Sequence, residues 1–131
     1  MKRSELKPDQ IAEAMSRYES IARRVKILKY LETRQDSNWR EDFILRINEE
    51  ALSVRVRDDW YTPFDYEDNQ PCEYEILLTW GGPAVRIIGK LNDYGEPESA
   101  VLQFQDWYIP WVDIKENGPL VDYARCWYFA E

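Results

Sequence analysis

The chain of 131 residues has no histidine. That removes the commonest general base, the Ser–His and Cys–His nucleophile pairs and the HExxH metal motif. Cysteine is nearly absent too. Cys72 and Cys126 stand far apart with no CxxC, which excludes a zinc-site pattern and leaves free thiols. Glycine is sparse, and neither GxGxxG nor a P-loop is present, so nucleotide binding by those devices is excluded. No stretch approaches the length of a membrane span. No apolar run follows the opening Met-Lys-Arg-Ser-Glu-Leu-Lys, so a cytoplasmic, reduced protein is expected. The acids Asp65, Glu67 and Asp68 lack the central glycine and terminal glutamate of a calcium loop. These gaps predict no metal, no cofactor and no enzymatic activity.

What is present in excess is aromatic side chain and negative charge. Six Trp and nine Tyr are enough for large rings to dominate a core or an interface. The formal charge is −8 and unevenly spread. The first 50 residues are close to neutral, and the remainder carries nearly all the excess. Seven acids and no base fall between Asp58 and Glu75. That half repels a phosphate backbone and attracts basic partners. A plainer reading of the same charge is solubility.

Helical periodicity opens the chain. Pro8 suits a first turn, and Ile11, Met15, Tyr18, Ala22, Val25, Leu28 and Leu31 draw one apolar stripe to about Thr33. Trp39, Phe43, Ile44 and Ile47 fit a second helix to about Glu50, although Phe43, Leu45 and Ile47 also alternate as a strand would. The period then becomes two. Leu52, Val54 and Val56 form one strand, and Tyr74, Ile76, Leu78 and Trp80 the next. Gly81-Gly82-Pro83 breaks the chain before Val85 and Ile87, and Asn92–Pro97 before Ala100, Leu102 and Phe104. Leu120, Tyr123, Ala124 and Trp127 make a last helix after Asn117-Gly118-Pro119. The expectation is a single α+β domain over 1–131. Residues 1–50 are helical, and 51–131 form a four-stranded antiparallel β-meander plus a C-terminal helix.

One motif occurs twice: Asp59-Trp60-Tyr61-Thr62-Pro63-Phe64 and Asp106-Trp107-Tyr108-Ile109-Pro110-Trp111. Both copies follow a strand, which sets flat rings beside carboxylates near the ends of a sheet. The flanking residues do not match, so no two-fold fold is inferred. Paired acids on aromatic rings suit glycoside chemistry if they flank one sugar. A structural role fits the pattern better, with the aspartate bonding a nearby backbone N–H and the proline setting the bend.

The segments Glu-Tyr-Glu-Ile-Leu-Leu, Gly-Gly-Pro-Ala-Val-Arg-Ile, Gly-Glu-Pro-Glu-Ser-Ala and Gln-Asp-Trp-Tyr-Ile-Pro-Trp, with the ending Asp-Tyr-Ala-Arg-Cys-Trp-Tyr-Phe, resemble a family of small acidic proteins of bacterial and phage or prophage genomes. The likeness covers about the C-terminal two-thirds. It carries no catalytic residues, but implies a mobile-element setting, where small acidic proteins include anti-CRISPR and anti-restriction inhibitors. The first expectation is therefore a non-enzymatic, anti-CRISPR-like inhibitor that mimics nucleic acid in the basic channel of a nuclease or CRISPR effector. Asp58, Asp59, Asp65, Glu67, Asp68 and Glu73 would supply the charge, and Trp60 and Tyr61 the anchors. The alternative is a binding module whose two aromatic-proline corners, including Trp107, Tyr108 and Trp111, frame a groove for a peptide, a sugar or a single strand. A homodimer through the Ile11–Leu31 stripe is compatible with either.

Overall fold

The computed structural model describes residues 2–34, 37–64, 70–107 and 109–129. After a 3-10 turn at Arg3–Glu5, helix α1 spans Pro8–Thr33 and α2 spans Ser37–Asn48. Pro8 occupies the first turn of α1, where its missing N–H is no loss, and the Gln10 side chain accepts a hydrogen bond from the Lys7 backbone N–H at 2.9 Å. Ala14, Ile21, Val25 and Leu28 are buried, with Ile11, Met15 and Tyr18 packed at the margin. The buried face thus overlaps the stripe read from the sequence at Val25 and Leu28, and adds Ala14 and Ile21 to it.

Among the described residues the sheet has five strands rather than the four expected. They are β1 (Ser53–Asp58), β2 (Pro71–Thr79), β3 (Ala84–Lys90), β4 (Val101–Gln105) and β5 (Val112–Glu116). Their spatial order is their chain order, and every neighbour pair is antiparallel. The meander is as expected; β5 is the addition. It hides in the sequence because only Val112 and Ile114 mark its inner face, directly after Pro110.

Cross-strand register sorts the two faces. Val54, Ile76, Ile87 and Leu102 lie in one row, and Val85, Phe104 and Val112 in another. From β2 to β5 these residues are sealed in the core with α1 and Tyr123 of α3 (Pro119–Ala124). Burying each large side chain contributes about 1.5–3 kcal/mol. The core does not extend over β1. Val54 and Val56 stay 39% exposed, so β1 is an edge strand open on both faces.

A polar knot at Glu50 ties α1 to α3. The Tyr123 hydroxyl donates to Glu50 Oε1 at 3.0 Å, and Arg24 meets the other oxygen of Glu50 at 2.6 Å. Burial first, and then Glu50, raise the Tyr123 phenol, which keeps its proton available for that bond. Trp127 falls beyond α3 rather than within it, and packs edge-on against Tyr123.

The outer face of the sheet carries a polar row beside Leu77, Ile88 and Val101. A continuous chain of hydrogen bonds crosses all five strands. Arg55 of β1 meets Glu75 Oε1 of β2 at 2.6 Å, and Arg86 of β3 meets Glu75 Oε2 at 2.7 Å. Arg86 Nε donates to Gln103 of β4 at 2.8 Å, and Gln103 donates to Asp113 of β5 at 2.7 Å. Burial alone would raise the Glu75 carboxyl. The two arginines together outweigh it and hold the group below its ordinary value.

Candidate partner-binding surface

Strand β1 ends in a register shift between Arg57 and Asp58, and Asp58 pairs with Pro71 at the start of β2. The shift turns the chain away from the sheet just where the first aromatic-proline copy begins. Asp59 Oδ1 accepts the Trp60 backbone N–H at 2.7 Å, the local turn bond expected of an aspartate at this position. Beyond that bond the rings stand in solvent: Trp60 is 98% exposed and Phe64 95%, with Tyr61 also exposed. Phe64 has a φ of 81°, a region bulky side chains rarely adopt. Asp58 and Asp59 form no ion pair among the described residues. Glu73 does pair, with Arg57. An open cleft of about 830 Å³ runs between Asp59, Trp60, Tyr61, Cys72 and Glu73.

Five of the expected residues, Asp58, Asp59, Trp60, Tyr61 and Glu73, are therefore brought together around one cleft. Asp65, Glu67, Asp68 and Tyr108 lie outside the described residues. Cys72 lines the same cleft. Burial, and then Asp59 and Glu73, push its thiol up, so it stays protonated and is a poor nucleophile. Burial likewise raises Cys126 to about 11. The latter thiol lies past the end of α3 and is only half-buried, not within a helix as its sequence setting suggested. Among the described residues no cluster of three His, Cys, Asp or Glu side chains could hold a metal.

The second copy is built differently. Asp106 Oδ1 accepts the Trp107 N–H at 2.8 Å, matching the first copy. Its other oxygen accepts Gln10 Nε2 of α1 at 3.0 Å. The Gln10 bond, then the Trp107 N–H, depress the Asp106 carboxyl below its usual range. Gln105 Nε2 donates to the Ile109 carbonyl at 3.1 Å, fixing the bend. The Trp107 indole lies on the backbone of Gly82, where a Cβ would sit 2.0 Å from its Nε1. Gly81 beside it takes a φ of +103°, so this turn uses one glycine for angle and the next for space. Trp111 is half-buried, with the Arg86 guanidinium 4.1 Å from its ring centroid. No sequence signal paired Gln10 with Asp106 or Gly82 with Trp107, since both contacts join distant parts of the chain.

The two copies lie at opposite ends of the sheet. Asp58 is beside Pro71, near the pair of Glu73 with Lys90, whereas Gln105 pairs with Ala84. Ala84 and Lys90 are the two ends of β3, a seven-residue strand, which separates them by roughly 20 Å. The two corners therefore do not frame a shared groove, and Asp59 and Asp106 do not flank one sugar. Comparison of the chain with family models, curated proteins and solved structures found no match. No helix among the described residues is long and apolar enough to cross a membrane.

Proposed function

We propose that the protein is a non-enzymatic binding protein that offers the acidic, aromatic end of β1 to a cationic groove in a partner. The observation that carries this reading is the pairing of almost fully exposed Trp60 and Phe64 with Asp58 and Asp59, carboxylates that have no ion-pair partner among the described residues. Large rings left in water have no folding role to explain them, and exposed apolar groups rimmed by charge mark interaction sites. Trp and Tyr are the residue types that anchor interfaces, and carboxylates steer a basic partner toward them.

The partner best matched to this surface is a nucleic-acid-handling protein of a host defence system, such as a nuclease or CRISPR effector. Carboxylates stand in for phosphates and the rings for stacked bases. Binding there blocks nucleic acid by occupancy, which is an anti-CRISPR-like inhibitor's mode of action, exercised in the cytoplasm. The reading is tested by measuring binding to purified effector nucleases as salt is raised. Affinity should fall steeply, nucleic acid should compete, and Asp58→Lys with Asp59→Lys should abolish the complex. Binding indifferent to salt and to both reversals would overturn it.

A further inference from the structure

We propose that the open edge of β1 is a docking site for an extended segment of another protein, one whose residues alternate between acidic and apolar. The site runs along the strand, whereas the acidic surface lies at its end, and neither depends on the other.

Three observations converge. First, β1 has backbone groups aimed at an unoccupied side. It stands at the end of the strand order, with β2 on one side and no strand on the other among the described residues. The Leu77 carbonyl accepts the Leu52 N–H at 2.8 Å, whereas the Cys72 carbonyl turns the opposite way to accept from Leu91. Alternation along β2 therefore aims the backbone of Glu73, Glu75 and Leu77 at β1, and register aims that of Arg55 and Arg57 back at them. Val54 and Val56 are left with N–H and C=O groups directed away from β2. Between Ser53 and Arg57 no proline, register shift or inward charge blunts this edge. Second, the two faces of β1 call for opposite chemistry. Val54 and Val56 leave apolar surface uncovered on the inner face. On the outer face the side chains of Arg55 and Arg57 are 72% and 76% exposed. β2 already answers this pattern on its side, with Tyr74 and Ile76 beside the valines and Glu73 and Glu75 beside the arginines. A strand added on the open side meets the same alternation, and acid beside arginine with apolar beside valine satisfies it again.

Third, charge complementarity selects acids. An open hollow of about 430 Å³ joins Arg55, Arg57, Arg86, Glu73, Glu75 and Ile88. Three guanidiniums line it against two carboxylates, so this stretch is cationic within a chain of net charge −8. Each guanidinium has five N–H donors, of which Arg55 spends two on Glu75. Donors therefore remain for a carboxylate arriving from the open side, while a basic strand would set like charges side by side. A second copy of β1 fits poorly for the same reason. Centring the overlap on Arg55 or Val56 sets arginine opposite arginine, and centring it on Val54 carries Asp58 to Glu50.

The test titrates the full chain into a fluorescein-labelled peptide, Ser-Val-Glu-Val-Glu-Val-Ser, with anisotropy as the readout and amide hydrogen exchange followed by NMR. Binding should saturate and should slow exchange at the Val54 and Val56 amides. Val56→Pro should weaken it about fivefold or more, because proline removes an N–H that faces the open edge and leaves the β2 ladder intact. The same bond can be removed from the peptide, which keeps the test informative if Val56→Pro fails to fold. N-methylation of the central valine should weaken binding about as much, whereas N-methylation of a glutamate, whose N–H points away from β1, should not. Changing both glutamates to lysine should weaken it further. No saturable binding, equal loss on methylating either residue type, or tighter binding of the lysine peptide would overturn the proposal. So would slowed exchange at Val54 and Val56 through self-association without peptide.

Discussion

Asp59-Trp60 and Asp106-Trp107 begin in the same way, each aspartate accepting the backbone N–H of the tryptophan that follows. From there they diverge. Asp106 gains Gln10 from α1, and Trp107 gains the bare backbone of Gly82. Among the described residues Asp59 and Trp60 gain no comparable support, and Trp60 is left almost wholly in water. A shared local motif thus fixes only the local turn. Whether that turn becomes part of the scaffold or a projection from it depends on what distant segments bring to it.

The largest expected effect lies in the polar row on the outer face of the sheet. Glu75 is 13% exposed and holds both Arg55 and Arg86, and Arg86 in turn stacks on Trp111. Glu75→Ala should destabilise the protein by about 2 kcal/mol in urea unfolding, because it leaves Arg86 partly buried without its carboxylate. The same carboxyl sets a pH dependence. Its folded value is depressed, so its contribution is fully present above the ordinary carboxyl range and is lost as pH falls through the lower folded value. Melting temperature should therefore fall on the acid side of about pH 4, and less steeply in Glu75→Ala.

A matched pair of substitutions sharpens the comparison next. Asp106→Ala removes bonds to both Gln10 and Trp107 and should cost about 1–2 kcal/mol. Asp59→Ala, which removes only the local bond, should stay within about 0.5 kcal/mol, as should Trp60→Ala. Equal costs at the two aspartates would contradict the difference drawn between the corners. Gly82→Ala should give an effect of about 1 kcal/mol. A Cβ there displaces the Trp107 indole, which fluorescence should report as a red shift, with the fold retained.

Elements with long periodic patterns were legible in the sequence. The stripe from Ile11 to Leu31 marked α1 to its end at Thr33, because three- and four-residue steps sustained over about six turns admit one geometry. The hairpins were marked by Gly81-Gly82-Pro83 and Asn92–Pro97. Strand β5 was not legible, since five residues with two inward apolar positions carry little period. At the candidate site, the clustering of Asp58 to Tyr61 followed from adjacency in the chain. The arginine–glutamate row across the outer face did not, because register joins Arg55, Glu75 and Arg86 only once the strands have paired. Opposite placement of the two aromatic corners likewise depends on topology, in which β1 leads into one end and β4 into the other.

Binding at the end of β1 is proposed to rest on charge and exposed rings. Its most direct test is the affinity for a purified cationic nuclease or CRISPR effector, measured for the native chain and for the Asp58→Lys, Asp59→Lys variant from about 0.05 to 0.5 M salt. Affinity of the native chain should fall steeply with salt, and the variant should show no measurable binding. A flat salt profile, or a variant that binds as well as the native chain, would contradict it.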